Sequence, residues 1–251
     1  SSIKKLGIIQ PLIVTGTAPY TVVTGFKRLD SAIKLGFKEV SVIITTMSEH
    51  EALLFAIHDN MKRRLNLVEK AYAVERMLHL GFAVEEIYET MKLLDLPVHE
   101  KIVTMLIAIS NAEQRLKDFI VAHSLSIKSI GYLLGFDVAE RRQIIDVLSL
   151  VHLTESHIRE ILQLMSLIKI KEGQLDFSPL MDIRDTAELK RRLKITSHPI
   201  LSALEENLKT IKDKCRLAPN MDIRVDPFFE KEYIDIWLKV KNLEEVQAGI
   251  E

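Results

Sequence analysis

Cysteine is almost absent from this chain of 251 residues, which contains one, Cys215. A single thiol excludes an internal disulfide framework and suits a reducing compartment, so a cytoplasmic protein is expected. No apolar run reaches the roughly 18 residues that a membrane-spanning helix needs, so no membrane association is expected. No secretory signal opens the chain. It begins without Met in an expected helix, Ser2–Leu6, which predicts a piece of a longer protein.

Glycine, proline and aromatic residues are also scarce. The chain has nine glycines and seven prolines, and aromatic residues make up 6% of it, which favours helices over a barrel or sandwich. Neither sign of charge predominates, because 34 basic and 35 acidic side chains leave a net charge of −1. This balance argues against a protein that coats nucleic acid with its whole surface, although a local basic patch stays open. Hydrophobic residues make up 47%, enough for a buried core.

Residues 1–65 predict a small α/β domain, because short β-branched runs alternate there with helical patterns. The dipeptide Ala18-Pro19 is typical of a hairpin loop between the first two strands. The expected elements are strands at Leu12–Val14, Tyr20–Thr24 and Val40–Thr45, and helices at Ser2–Leu6, Lys27–Leu35 and Ser48–Ile57.

Residues 66–178 predict a helical domain. Capping-box pairs and a threonine N-cap mark helix starts along it. These signals are Asn66 with Glu69, Asp137 with Glu140, and Thr154, whose helix is expected to end at Gly173. The number and length of the helices favour an orthogonal bundle over a coiled coil.

Residues 180–251 predict a small α+β unit, which makes the whole chain mainly helical and of the α+β class. Its expected elements are a basic helix capped by Asp185, a helix opening at Pro199, strands at Met221–Val225 and Glu232–Lys239, and a last helix capped by Asn242. In the second strand alternate apolar residues share one face. The aromatic residues Phe228, Phe229 and Trp237 are interpreted as core or as a dimer face, so a homodimer is expected.

The clearest ligand signal is a strand that turns on Gly25 into a helix. Such a turn leaves backbone N–H groups unpaired, and the helix dipole with Lys27 and Arg28 makes it a candidate phosphate seat. The signal is weaker than a P-loop, because no Gly-x-x-x-x-Gly-Lys-Ser/Thr motif is present. The alternative is that Gly25 only ends a strand.

A second candidate lies at Asp59-Asn60, which the basic run Lys62–Arg64 follows. An acid beside an amide carbonyl can hold a divalent metal on phosphate oxygens. The alternative is a solvated helix end. A zinc site is not expected, since the eight histidines form no helical metal-binding pair.

The order of these segments resembles the N-terminal domain of the ParB family over residues 1–80, and more weakly to residue 170. The matching segments are Gly7–Val14, Val23–Arg28 with Ala32, Asp59–Arg63, Leu65-Asn66 and Glu69–Ala71. The resemblance implies a nucleotide-binding α/β domain shared with sulfiredoxin, followed by a helical domain with a helix-turn-helix. It also implies binding of CTP with magnesium, clamp closure, and chromosome or plasmid partition.

The resemblance assigns residues to the nucleotide. Gly25, Lys27 and Arg28 match the family's Gly-Glu-Arg-Arg motif, with Phe26 in place of the Glu. Asp59, Asn60 and Arg63 match its Glu-Asn-x-x-Arg motif, Asp59 and Asn60 being the expected magnesium ligands, and Gln10 and Pro11 are expected near the base. The expected nucleotide-binding residues are thus Gln10, Pro11, Thr24, Gly25, Lys27, Arg28, Asp59, Asn60 and Arg63.

By position, Val84–Met91 and Val98–Ile107 are the expected helix-turn-helix pair, although the turn between them lacks glycine. The second helix offers one cation, Lys101, and base reading needs more polar side chains than that. A packing helix is therefore the favoured interpretation. Lys101, Arg141 and Arg142 are candidate DNA contacts, and the alternative for them is a solvated face.

The leading hypothesis is a ParB-related, DNA-associated partition or regulatory protein whose first domain binds a CTP-like nucleotide with magnesium as a switch. A first alternative is an enzyme of the same superfamily, a nucleotide-dependent small-molecule kinase or a nuclease, and weak nucleoside triphosphatase activity stays open. A second alternative is an interaction module that has lost nucleotide binding. The replacement of the motif's Glu by Phe26 makes hydrolysis less expected, and it fits either binding without hydrolysis or the loss of nucleotide binding.

Overall fold

The computed structural model describes residues 7–61, 63–215, 221–226, 231 and 233–240. The chain divides into two compact units, residues 1–134 and 135–251, and each is described by itself. The division into three domains expected from the sequence stays a prediction. Several expected features lie outside the described residues, namely the helix at Ser2–Leu6, Lys62, Phe228, Phe229 and the helix capped by Asn242.

A three-stranded sheet opens the first unit. Its strands are β1 (Leu12–Thr15), β2 (Thr21–Thr24) and β3 (Val42–Thr45), in the order β2-β1-β3. The strands β1 and β2 are antiparallel and β1 and β3 are parallel, so Val14 lies opposite both Val22 and Ile44. The loop at Ala18-Pro19 joins the antiparallel pair, as expected. β2 is consequently an edge strand whose outer side is open to packing by helices.

Seven helices of the first unit are described. They are α1 (Phe26–Lys34), α2 (Glu49–Met61), α3 (Leu67–His79), α4 (Val84–Leu93), α5 (Glu100–Ser110), α6 (Gln114–Ala122) and α7 (Ile127–Leu134). α1 contacts β1, and α2 packs beside the edge strand β2 and against α3. α3 in turn packs along α5 and α6.

The start of α3 confirms the expected capping box. The Asn66 side chain accepts a hydrogen bond from the Glu69 backbone N–H at 2.9 Å, and the Glu69 carboxylate accepts one from the Asn66 N–H at 3.0 Å. Two N–H groups that a helix start leaves unpaired are thereby satisfied. The helix then buries Val68, Ala71 and Val74.

The expected helix-turn-helix region corresponds to α4 and α5. Its turn contains no glycine, but Asp95 takes the left-handed conformation with φ 53° that glycine usually supplies. α5 begins at Glu100, two residues later than expected, because the His99 ring accepts a hydrogen bond from the Lys101 N–H at 3.0 Å. Leu106 is buried, and the helix packs along α3. This packing is compatible with the packing-helix interpretation, which stays a prediction.

The second unit is helical up to a terminal hairpin. Its helices are α8 (Val138–Ser149), α9 (Glu155–Glu172), a 3₁₀ turn (Ser178–Leu180), α10 (Thr186–Ser197) and α11 (Pro199–Cys215), and its strands are β4 (Met221–Arg224) and β5 (Asp235–Leu238). The N-caps Asp137, Thr154 and Asp185 and the left-handed C-cap Gly173 are confirmed. The chain is thus mainly helical and of the α+β class. None of the described helices is both long enough and apolar enough to cross a bilayer.

The hairpin and α11 keep large apolar side chains at the surface. β4 and β5 pair antiparallel, with Asp222 opposite Trp237. Trp237 is 54% exposed and Ile236 is 68% exposed, while Ile200 at the start of α11 is 78% exposed. A core position for Trp237 is therefore wrong, and the dimer-face interpretation stays open.

Candidate functional site

Gly25 connects β2 to α1 through a backbone conformation that suits glycine. Its φ is 101° and its ψ is 16°, and its carbonyl accepts the first two helical hydrogen bonds, from the N–H groups of Arg28 and Leu29. A Cβ at this position would stand 3.1 Å from the Leu12 side chain and 3.2 Å from the Arg28 guanidinium. The sharp turn thus depends on the absence of a side chain.

The first turn of α1 has the wrong charge for an ordinary helix start. No side chain caps it and no acidic residue lies in it, while Lys27 and Arg28 do. Helix N-termini carry partial positive charge and are stabilised by anions rather than cations. An anion bound at the unpaired N–H groups would compensate the positive charge of the helix N-terminus and of the two cations. A phosphate is the usual ligand of that kind.

Thr24 adds a second irregularity directly before the turn. The residue is 1% exposed, and its hydroxyl oxygen has no hydrogen-bond partner in the structure. Buried polar groups are normally paired, so an orphan of this kind calls for an explanation. Thr24 directly precedes Gly25 in the chain, at the end of β2.

Arg28 connects the start of α1 to two other expected site residues, Gln10 and Pro11. One guanidinium nitrogen donates to the backbone carbonyls of Gln10 at 2.6 Å and of Pro11 at 2.8 Å. The segment before β1 is thereby held against the start of α1. This contact was not predictable from the sequence, because its acceptors are main-chain oxygens that any residue provides. Lys27, by contrast, is exposed beside the turn.

The second expected motif forms a brace at the end of α2. The Asn60 amide donates to the Ala56 carbonyl at 2.7 Å and accepts from the Arg63 side chain at 2.8 Å. Arg63 also pairs with Glu69 in the first turn of α3, at 2.9 Å. Asn60 and Arg63 therefore tie the end of α2 to the start of α3. Asp59 is half-buried at the same helix end. Within the described ranges, no hydrogen bond links this brace to the Gly25 turn.

The donor set at this brace fits magnesium only in part. Asp59 offers a carboxylate of the hard-oxygen type that magnesium prefers, while the Asn60 oxygen already accepts from Arg63. The described residues contain no group of three or more acidic, histidine or cysteine side chains placed to hold a metal. Magnesium commonly binds through one or two carboxylates together with ligand phosphates, and that is the arrangement that Asp59 can support.

A cavity of about 390 Å³ opens between the edge strand β2 and the helices α2 and α3. Its apolar wall is formed by Val22, Phe26, Leu53, Ala56 and Leu80, among others. Phe26 is the first residue of α1 and is 59% exposed. The cavity therefore reaches the helix terminus at which the phosphate seat lies. The sequence showed Phe26 only as a departure from a motif and gave no signal for the cavity.

The candidate DNA contacts lie in different units. Lys101 is exposed in the first turn of α5, in the unit of residues 1–134. Arg141 and Arg142 lie on α8 in the other unit, where Arg141 donates to the Phe136 carbonyl at 2.7 Å and Arg142 is exposed. Their role as DNA contacts stays a prediction.

Residues 1–61 match the family model of the ParB N-terminal domain. This part of the chain is similar to the ParB N-terminal domain. The curated relatives agree with the match. A probable plasmid-partitioning protein ParB of Thermus thermophilus is 43% identical over 91 residues, which cover 34% of this chain and 30% of the relative. The chromosome-partitioning protein Spo0J of the same organism is 33% identical over 88 residues, 34% of this chain and 33% of the relative.

The ParB-like match thus spans about a third of the length of these relatives. Two solved structures of C-terminally truncated ParB from Caulobacter crescentus are also similar. The complex with CTP-γ-S has a TM-score of 0.25 and 21% identity, over 57% of this chain and 82% of the other. The complex with the centromeric parS site has a TM-score of 0.31 and 17% identity, over 69% and 81%.

Proposed function

We propose that this ParB-like chain is a DNA-associated partition or regulatory protein whose N-terminal domain binds a CTP-like nucleotide with magnesium as a switch. The start of α1 carries the proposal, since this helix N-terminus has no side-chain cap and no acidic residue, and its first turn contains Lys27 and Arg28. The curated relatives, which are named as partitioning proteins, support the biological role.

In this proposal different residues of the chain bind the phosphates, position the neighbouring segment and bind magnesium. The N–H groups of the first turn and Lys27 hold the phosphates, and Arg28 keeps the Gln10-Pro11 segment against the site. Asp59 supplies the charged oxygen for magnesium, which when bound neutralises phosphate charge. The brace of Asn60, Arg63 and Glu69 connects this region to α3, so it can pass an effect of the ligand to the helices.

The nucleotide part is tested by calorimetry of the full chain with CTP, ATP and ADP in magnesium buffer. We expect heat of binding with at least one of them and a smaller affinity without magnesium. Absence of heat with all three, for a protein shown to be folded by circular dichroism, would reject the switch and leave the interaction module. Turnover of labelled nucleotide would instead favour the enzyme.

The DNA part is tested by fluorescence anisotropy with a labelled duplex at several salt concentrations. Phosphate contacts release counterions, so binding should weaken steeply between 50 and 200 mM salt, by about tenfold or more for a few contacts. Lys101→Ala and Arg142→Ala are each expected to reduce the salt slope by roughly one. Binding that is absent or independent of salt would contradict the proposal.

We also propose that two copies pair through β5. In the described part of the chain β5 pairs with β4 alone. The proposed pairing joins the other edge of β5 to a second chain. An antiparallel pairing centred on Trp237 sets Asp235 of each copy opposite Lys239 of the other, which makes the strand self-complementary in charge. It also places the exposed Ile236 and Trp237 beside side chains of the second copy.

A further inference from the structure

The residue that departs most from the expected motif lies at the junction of two features. Phe26 follows Gly25 directly, so its backbone belongs to the candidate phosphate seat, while its side chain lines the cavity beside β2. More than half of this large apolar side chain is exposed. An exposed aromatic ring that lines a cavity is available for contact with a bound ligand.

The cavity has the composition of a site for a flat aromatic group. Its walls are mainly apolar, from Val22 and Leu53 to Leu80, and its volume of about 390 Å³ lies within the usual range of small-molecule pockets. Its lining also contains Glu49 and Arg76, whose charged atoms are 3.9 Å apart. These two side chains offer one acceptor and several donors to the polar edge of a ring.

We propose that Phe26 is the platform on which the base of the bound nucleotide stacks, with the base in the cavity beside β2 and the phosphates at the start of α1. The inference rests on the proposed nucleotide binding and adds to it the location of the base. A phosphate seat and an apolar cavity that share one residue, Phe26, match the two halves of a nucleotide. Base stacking on an aromatic ring needs no particular base, so the platform contributes affinity while the edge contacts contribute selectivity.

This placement differs from the one implied by the family resemblance, in which the base lies beside Gln10 and Pro11. The backbone carbonyls of both residues already accept hydrogen bonds from Arg28. The Gln10 side chain is exposed and lines no part of the cavity beside β2. The two placements therefore predict different effects of substitution at position 26 and at position 10.

The test compares a nucleotide with its phosphate moiety alone. Calorimetry of the full chain measures the affinity of CTP, ATP and inorganic tripolyphosphate, each with magnesium, for the wild type and for Phe26→Ala, Phe26→Tyr and Gln10→Ala. We expect Phe26→Ala to weaken nucleotide binding roughly 5- to 150-fold and to leave tripolyphosphate binding within about twofold. Phe26→Tyr should bind the nucleotides like the wild type.

Phe37→Ala is the matched control, because Phe37 follows the other end of α1, is 40% exposed and lines no part of the cavity. It should change neither affinity. Circular dichroism and thermal melting of each variant show whether the fold is retained. If Phe26→Ala does not fold, Phe26→Leu, which keeps an apolar side chain but removes the ring, takes its place with the same expected loss of nucleotide affinity.

The outcomes separate the two proposals. A wild type that binds neither nucleotide nor tripolyphosphate would overturn the proposed function and the platform with it. A wild type that binds tripolyphosphate but gains no affinity from a base would overturn the platform alone. The platform is also overturned if Phe26→Ala weakens both ligands equally, or if only Gln10→Ala discriminates between them.

Discussion

Gly25 has no side chain, and this allows the chain to turn sharply from β2 into α1. Replacing Gly25 by Ala adds a Cβ in a left-handed conformation and within 3.1 Å of Leu12. We expect Gly25→Ala to lower the free energy of unfolding by about 1–3 kcal/mol, measured by chemical denaturation. Gly16, with φ 88° and open space around it, is the matched control. Its alanine variant has the strain without the contact, so equal losses at both positions would contradict the steric part of the argument.

Lys27 and Arg28 are adjacent cations with different tasks. Lys27 is exposed, so Lys27→Ala should weaken nucleotide or tripolyphosphate binding roughly 2- to 10-fold, while the melting temperature of the free protein should not fall. Arg28 holds two carbonyls, so Arg28→Ala should lower the free energy of unfolding as well, by about 1–3 kcal/mol. Calorimetry and thermal melting of both variants check this. An Arg28→Ala protein as stable as the wild type would show that the two hydrogen bonds are not structural.

At the scale of single residues, the sequence predicted the turn glycine and the two cations because their types carry the chemistry. It did not predict that Arg28 binds the carbonyls of Gln10 and Pro11, since main-chain acceptors leave no mark in a sequence. The orphaned hydroxyl of Thr24 was likewise invisible, because burial at one atom depends on the packing of the whole sheet.

At the scale of elements, α4 begins without a complete cap. Glu86 accepts a hydrogen bond from the Ala83 N–H at 3.0 Å. Ala83, however, has no side-chain acceptor for the backbone N–H of Glu86. Ala83 is exposed and has the extended backbone typical of an N-cap, with φ −64° and ψ 149°. We expect Ala83→Asp to raise the free energy of unfolding by about 0.5–2 kcal/mol, measured by urea denaturation. Ala83→Val, which adds volume without an acceptor, is the control, and equal effects would argue against capping.

The helix α10 holds an ion-pair cluster near its start. Hydrogen bonds from Arg191 and then from Arg192 lower the pKa of Glu188 from 4.5 to about 2. Because the folded-state pKa is depressed, the stabilising contribution is complete above about pH 4.5 and is lost as the pH falls through about 2. An NMR titration of the Glu188 carboxyl carbon should give a midpoint near 2, and Arg191→Gln should move it upward. A midpoint near 4.5 in the wild type would show that the cluster does not form in solution.

Most elements could be predicted because their start and stop signals are local. The caps Asn66, Asp137, Thr154 and Asp185 and the stop at Gly173 are where the sequence places them. The start of α5 was predicted two residues early, since a histidine side chain caps it and histidine is a weak capping signal. The turn before α5 contains no glycine, and Asp95 adopts the left-handed conformation that a glycine usually supplies. The sequence did not indicate that an aspartate would take this role.

At the scale of the whole molecule, the class could be predicted from composition and periodicity, but which helices pack against each other could not. The chain passes from one compact unit to the other between α7 and α8, within residues 66–178, which the sequence predicts to be helical. The helices in that stretch are amphipathic. An amphipathic pattern indicates which face of a helix is buried, but it does not indicate which other helix packs against that face. Contacts between helices distant in sequence, such as α3 with α5, therefore require the structure.

The β5 strand gives the prediction that concerns the assembled molecule. If two copies pair antiparallel about Trp237, each dimer contains two pairs of Asp235 with Lys239. Lys239→Glu converts both into like-charge pairs, which cost about 0.2–1 kcal/mol each, so the dissociation constant should rise roughly 2- to 30-fold. Reversing both charges, in Asp235→Lys with Lys239→Glu, restores opposite pairs, so the dissociation constant should return towards that of the wild type.

Sedimentation velocity of the full chain over a concentration series measures these dissociation constants. Rescue by the double variant is the decisive result, because lost folding or a pairing in another register would leave it as weak as the single variant. A wild type that stays monomeric at high concentration, or a double variant weaker than Lys239→Glu, would exclude the β5 pairing. Nucleotide and DNA binding by such a monomer would then have to be explained within one chain.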